Sequence, residues 1–182
     1  MLIHGTRVFR ERVPGRAAAP DDVSATALGA WYATLLRWRR PVALLVNEPT
    51  LLPLLMPLAP ARTLLARIPG AVTELLAAHR LPAPFIDAER AAMGEVRLAP
   101  TANRSVVGVL NEFAFLADVH RADLGRPGVD RGDADGLLEL SRQLAATPLG
   151  PLYKRHVSPD RELAALVASS PGHRESAGGT AN

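Results

Sequence analysis

The sequence predicts an α+β fold, a small and mainly antiparallel sheet packed against four to five helices. Three patterns lead there. The stretch Trp31–Leu58 holds both tryptophans and the densest apolar run, cut by two turn signals. Residues 63–81 and 103–120 carry apolar side chains at helical spacing. Residues 95–99 alternate with period two. At 182 residues, 48% hydrophobic and 21% charged, the chain can bury one sizeable core. The composition places a single α+β domain at 1–168 and a disordered tail at 169–182, where Ser, Gly and charge replace apolar residues.

Taken in order, residues 1–9 read as a first strand around Leu2-Ile3, and 10–29, rich in Pro, Gly and Asp, as a long loop. Trp31–Trp38 has strand composition. Arg39-Arg40-Pro41 breaks it, and Val42–Val46 is a short apolar run suited to a strand covered on both faces. Asn47-Glu48-Pro49-Thr50 is a turn. Leu51–Leu58 reads as a third strand, at an edge or bulged, because Pro53 and Pro57 donate no ladder hydrogen bond. The three form an antiparallel meander.

Pro69 predicts a short turn ending near Arg67 and a new helix beginning around Pro69. A short helix follows over 84–93. The helix over 103–120 is capped by Asn103 or Thr101 and buries Val106, Val107, Leu110, Phe113, Ala114 and Ala117. Residues 121–136 read as a solvated loop, 137–146 as an amphipathic helix, and 159–168 as a last helix.

The chain has no cysteine, which excludes disulfides, cysteine nucleophiles and thiolate metal sites. The N-terminus lacks the apolar core of a signal peptide, and no unbroken apolar stretch is long enough to span a membrane. The net charge of +3 is uneven: residues 1–67 hold nine Arg against four acids. A basic first third suits nucleic acid or an acidic partner.

Two polar clusters and one basic turn are candidate sites. Arg37, Arg39 and Arg40 flank Trp38, a pairing able to meet phosphate while an aromatic stacks on a base. The plainer reading is a solvated hairpin tip with Trp38 in the core. Asn103, Arg104 and Ser105 stand at a helix start just after a strand, a setting that suits an anion. Gly108, Asn111, Glu112, Phe115 and Asp118 continue that polar face. The plainer reading has Asn103 as a cap and Phe115 packed under the 121–136 loop. Tyr153, Lys154, Arg155 and His156 gather a phenol and three cationic or titratable groups, able to bind phosphate or carboxylate, or merely solvated. The five histidines are scattered without metal-site spacing, and no phosphate loop, nucleophile elbow or dinucleotide fingerprint is present. No metal site and no cofactor is expected.

Met1-Leu2-Ile3-His4-Gly5-Thr6, the Trp31–Leu58 meander and Thr101–Gly108 resemble a family of small bacterial proteins described only as a domain of unknown function. Gly150–His156 is similar to the C-terminal signature of its longer members, and Thr6-Arg7 stands where Thr-Lys is expected. The resemblance spans about residues 1–168. It implies a bacterial, cytoplasmic protein and carries over no activity or catalytic residue.

These readings converge on a non-catalytic binding or regulatory module contacting nucleic acid or a protein partner. Two alternatives stay open. One is an enzyme on a phosphorylated or anionic small substrate, with the 103–112 and 153–156 clusters meeting in one pocket. The other is a structural subunit of a homo-oligomer or complex, joined through the apolar edge 51–58. Catalysis is left undecided.

Overall fold

The computed structural model describes residues 1–124, 129, 132–148 and 158–170. In chain order the elements are β1 (Leu2–Gly5), α1 (Arg7–Arg12), β2 (Arg16–Ala17), β3 (Trp31–Leu36), β4 (Val42–Asn47), β5 (Pro53–Pro57), a 3-10 turn (Ala61–Thr63), α2 (Leu64–Ala78), α3 (Ala83–Met93), β6 (Arg97–Pro100), α4 (Arg104–Leu124), α5 (Ala134–Ala145) and α6 (Pro159–Ser169). The strands form one sheet in the order β2-β6-β1-β3-β4-β5.

The sheet is not mainly antiparallel. β1 pairs parallel with β3 and β6, and β2 pairs parallel with β6. Only β4 runs against its neighbours β3 and β5. Five of the six strands thus point one way, and the fold is mixed α/β. The meander over 31–58 is present as expected. The difference lies in how β1 and β6 join it. Parallel neighbours need a crossover connection. The stretch between β1 and β3 supplies one, with α1 and β2 inside the predicted strand 1–9 and loop 10–29.

The strand at the N-terminus stops at Gly5 for a local reason. Thr6 Oγ1 accepts the Phe9 N–H at 3.4 Å and caps α1. Phe9 turns inward and is fully buried. A Cβ at Gly5 would stand 2.8 Å from Arg10 Cγ and 2.9 Å from Phe9 Cδ1, so only glycine lets the helix fold back so tightly.

Alternation along the strands divides the core between two faces. Trp31, Ala33, Ala43, Leu45, Leu54 and Met56 pack on one face with residues of α1, α2, α3 and α6. Tyr32, Leu36, Val42, Leu44, Val46 and Leu55 pack on the other with α4 and α5. β4 is buried along its whole length, as its unbroken apolar run predicts. The helix α2 runs through Pro69 without the expected break. Leu64, Ile68, Val72, Leu75 and Leu76 make one buried stripe across it. Each such side chain contributes about 1.5–3 kcal/mol, which together outweighs the roughly 3 kcal/mol that an interior proline costs.

β5 is the sheet edge, and its register explains its prolines. Leu58 N–H donates to Pro41 O, and Leu52 O accepts from Asn47 N–H. Residues 52, 54, 56 and 58 therefore face β4, and 53, 55 and 57 face outward. Pro53 and Pro57 occupy two of those outward positions and have no N–H to expose. The third outward donor, Leu55 N–H, is taken at 2.8 Å by Ser141 Oγ of α5. Ser141 is fully buried and its hydroxyl donates to Leu137 O. The apolar edge is thus closed by α5, and the observation behind the homo-oligomer expectation loses its force. Ser141→Ala strands the Leu55 N–H and is expected to cost about 1–3 kcal/mol in chemical denaturation. An unchanged midpoint would show that this bond does not hold the edge.

Among the described residues no helix is long and apolar enough to cross a membrane.

Candidate functional site

β1, β3 and β5 all end on the same side of the sheet, and the arginine-rich turns gather there. The turn from β3 to β4 carries Arg37, Trp38, Arg39 and Arg40, with the three arginines exposed. α1 follows β1 at the same end and brings Glu11 and Arg12. Between α1 and this turn lies a cleft of about 350 Å³. Val8, Leu35, Leu36, Pro41 and Leu58 give it apolar walls, and Glu11, Arg12, Arg37 and Trp38 complete the lining. Val8 is 40% exposed.

Trp38 does not lie in the core, and its ring is tethered. It is partly buried, and its indole N–H donates to Asp118 Oδ1 at 2.5 Å. The Arg121 guanidinium lies 5.4 Å from the ring centre. The sequence reading that buried Trp38 in the core is corrected: α4 reaches across from the second face and holds the ring in place at the mouth of the cleft.

The second predicted cluster opens α4. Asn103 accepts from Ser105 N–H at 3.1 Å and Val106 N–H at 3.4 Å through Oδ1, and so caps the helix as expected. Its Nδ2 donates to Glu48 Oε1 at 3.0 Å, and its backbone N–H donates to the Tyr32 hydroxyl at 2.9 Å. Burial, then the nearby Glu48 carboxylate, holds the Tyr32 phenol above its usual pKa, against the opposing Asn103 N–H. The His4 ring stacks on Tyr32 at 4.8 Å, and its Nδ1 meets Pro100 O at 2.7 Å. A carbonyl oxygen only accepts, so Nδ1 is the donor in that contact. Beside them Thr6 and Thr34 join hydroxyls at 3.1 Å. β1 leads to α1 on one face and the adjacent β6 leads to α4 on the other, so the chain diverges between them. Such a switch point is where open α/β sheets bind ligands.

Arg104 and Ser105 are exposed in the first turn of α4, Asn111 is exposed, and Glu112 is partly buried. Phe115 is 66% exposed, so the expectation that it packs under the 121–136 loop does not hold. Tyr153, Lys154, Arg155 and His156 lie outside the described residues, as does the tail from 171. His79, at the end of α2, is partly buried, and among the described residues its Nε2 has no hydrogen-bond partner. Burial, then Arg142, holds its pKa below the usual histidine value. Among the described residues no three His, Asp or Glu side chains stand close enough to share a metal ion.

Sequence reasoning missed Val8, Glu11 and Arg12 at the cleft, and His4, Tyr32 and Glu48 at the switch point. A helix period over 7–12 was the one available signal for the first group. A slightly larger cleft, about 370 Å³, lies between α2 and α5 beside β5. It is apolar except for Arg67 and Glu74. Arg67 donates to Leu58 O at 3.0 Å, which makes it a support for the turn below β5. None of the predicted site residues lines it.

The model of a domain of unknown function (DUF6933) matches residues 2–162. No curated protein and no solved structure matches the chain.

Proposed function

We propose, for a chain that belongs to the DUF6933 family, that it is a non-catalytic binding module which takes hold of nucleic acid through the arginine-rich end of its sheet. One observation carries this reading. Arg12 of α1 and Arg37 of the β3–β4 turn, 25 positions apart in sequence, line the same cleft with Trp38. Guanidinium groups grip phosphate in fixed fork geometry, and an aromatic at the same mouth offers a face to a base. Arg39 and Arg40 extend the basic surface along the turn. The uneven charge of the sequence, basic in its first third, supports the same reading.

The test is a salt series of binding to mixed-sequence DNA and RNA, read by fluorescence anisotropy. Affinity is expected to fall steeply with salt. An Arg12/Arg37/Arg39→Ala variant is expected to reduce the slope by about one for each phosphate-contacting arginine. Absence of binding at low salt removes the reading.

A second reading rests on the switch point. His4, Tyr32, Glu48 and Asn103 form a connected polar array beside the exposed Arg104 and Ser105, which suits a small anionic substrate. A screen of phosphorylated and carboxylate ligands by thermal shift, with Arg104→Ala alongside, tests it. No shift with any ligand, or a shift indifferent to Arg104, counts against it.

A further inference from the structure

Resting on the nucleic-acid reading above, we infer that the cleft between α1 and the β3–β4 turn receives one unpaired base bearing an exocyclic amino group, so that the protein holds single strands in preference to duplex. The lining divides into two chemistries. Val8, Leu35, Pro41 and Leu58 form an apolar interior, and Arg12 and Arg37 stand beside it on different elements. Phosphate binding alone calls for no apolar interior. A purely apolar ligand calls for no pair of arginines. A nucleotide in an unpaired strand has a flat, weakly solvated face and a phosphate on each side, and it matches both. The volume of about 350 Å³ lies in the range of small-ligand pockets.

Duplex cannot use this interior as it stands. Its bases are stacked and paired, and one would have to be flipped out at a cost of a few kcal/mol. The platform is also fixed in advance. Trp38 is tied by its N–H to Asp118 and by its ring to Arg121, so little ordering remains for binding.

Glu11 supplies the base preference. Among the described residues it is the one carboxylate in the lining. It ion-pairs with Arg7 at 3.0 Å, with the side chains 85% and 62% exposed for Arg7 and Glu11, so the partner is held loosely. A carboxylate accepts only. Adenine, cytosine and guanine each present an exocyclic amine to it. Thymine presents a single ring N–H between two carbonyl oxygens, which repel a carboxylate.

The experiment uses the full-length protein with single-stranded dA, dC and dT oligonucleotides and a duplex of equal length, compared at matched low and high salt. Binding is read by anisotropy and by tryptophan fluorescence. Trp31 is buried in the core, so quenching reports Trp38. Single-stranded dA and dC are expected to bind about tenfold more tightly than duplex, the scale of one stacked base. They are expected to quench Trp38, and dT to bind about fivefold more weakly. Val8→Gln, which fills the cleft without altering charge, is expected to abolish the single-strand preference and leave the salt-dependent part. Val8 lies on the surface, and circular dichroism confirms that the variant folds. Glu11→Gln is expected to bring dT level with dC. Equal affinity for duplex and single strands, still lost on Arg12 and Arg37 replacement, overturns this inference and leaves the nucleic-acid reading standing. A single-strand preference untouched by Val8→Gln overturns the cleft as its seat. No discrimination against dT overturns the role given to Glu11. Absence of all binding at low salt removes both readings together.

Discussion

Asn47→Ala is expected to lower the unfolding free energy by about 3–4 kcal/mol. The residue closes β4 and is fully buried. Its Nδ2 donates to Leu28 O at 2.8 Å and Ala30 O at 3.3 Å. Its Oδ1 accepts from Thr50 N–H at 3.1 Å and from Thr50 Oγ1 at 2.7 Å. Alanine removes every one of these and leaves the buried Leu28 O, Thr50 N–H and Thr50 hydroxyl without this partner. The turn behind it also stores strain. Leu51 is held at φ 59°, a region leucine seldom adopts, and its N–H donates to Asn47 O. Asn47→Asp gives no rescue, because its carboxylate keeps the acceptor role but faces two carbonyl oxygens. Chemical denaturation of the three proteins checks this. A loss below about 1 kcal/mol in the alanine variant would mean that the turn is held by its backbone alone. The effect reaches the polar array, since the next residue, Glu48, accepts from Asn103.

Much of this turn is legible in the sequence and its main role is not. Asn47-Glu48-Pro49-Thr50 announces a turn by residue type. The partners of Asn47 at 28 and 30 lie in a stretch that reads only as loop, so nothing local marks it as the joint between two segments. The same limit governs the sheet. The β3–β4–β5 meander follows from short connections and apolar runs, and the prolines at 53 and 57 mark the edge through their period of two. The pairing of β1 with β3 and β6 depends on partners far away in sequence, and parallel strands leave no turn signature between them. At the candidate interface the run Arg37-Trp38-Arg39-Arg40 is visible as a local cluster. Val8, Glu11 and Arg12 become its neighbours only because Thr6 starts a helix where a strand was expected. Asn103 is readable as a cap, whereas its ties to Tyr32 and Glu48 are products of tertiary packing.

Glu89→Ala is expected to cost about 2–4 kcal/mol, and Glu89→Gln to expose a pH dependence of defined sign. Glu89 lies on α3 and is 2% exposed. Its carboxylate accepts from Ala27 N–H at 2.5 Å and Leu28 N–H at 3.3 Å, which ties the segment before β3 to the helix layer. Alanine leaves the buried Leu28 N–H without this partner and releases the Ala27 N–H from the helix. Burial is the larger influence on the carboxyl and raises its pKa, and the two N–H bonds pull the other way without cancelling it. The folded protein therefore holds this proton more tightly than the unfolded chain does. The stabilisation from this linkage is present in full below the ordinary glutamate pKa. It is lost as pH rises through the raised folded value. Glutamine cannot titrate, so the stability of the parent protein relative to Glu89→Gln should fall across that window and then level off. His79 acts in the opposite sense, since its lowered pKa removes stability as pH drops, but it is common to both proteins and cancels in the difference. Unfolding free energies of the pair from mild acid to neutrality decide the matter. A difference that grows with rising pH would mean that the two backbone donors outweigh burial, and that Glu89 is kept as a carboxylate clamp on the loop.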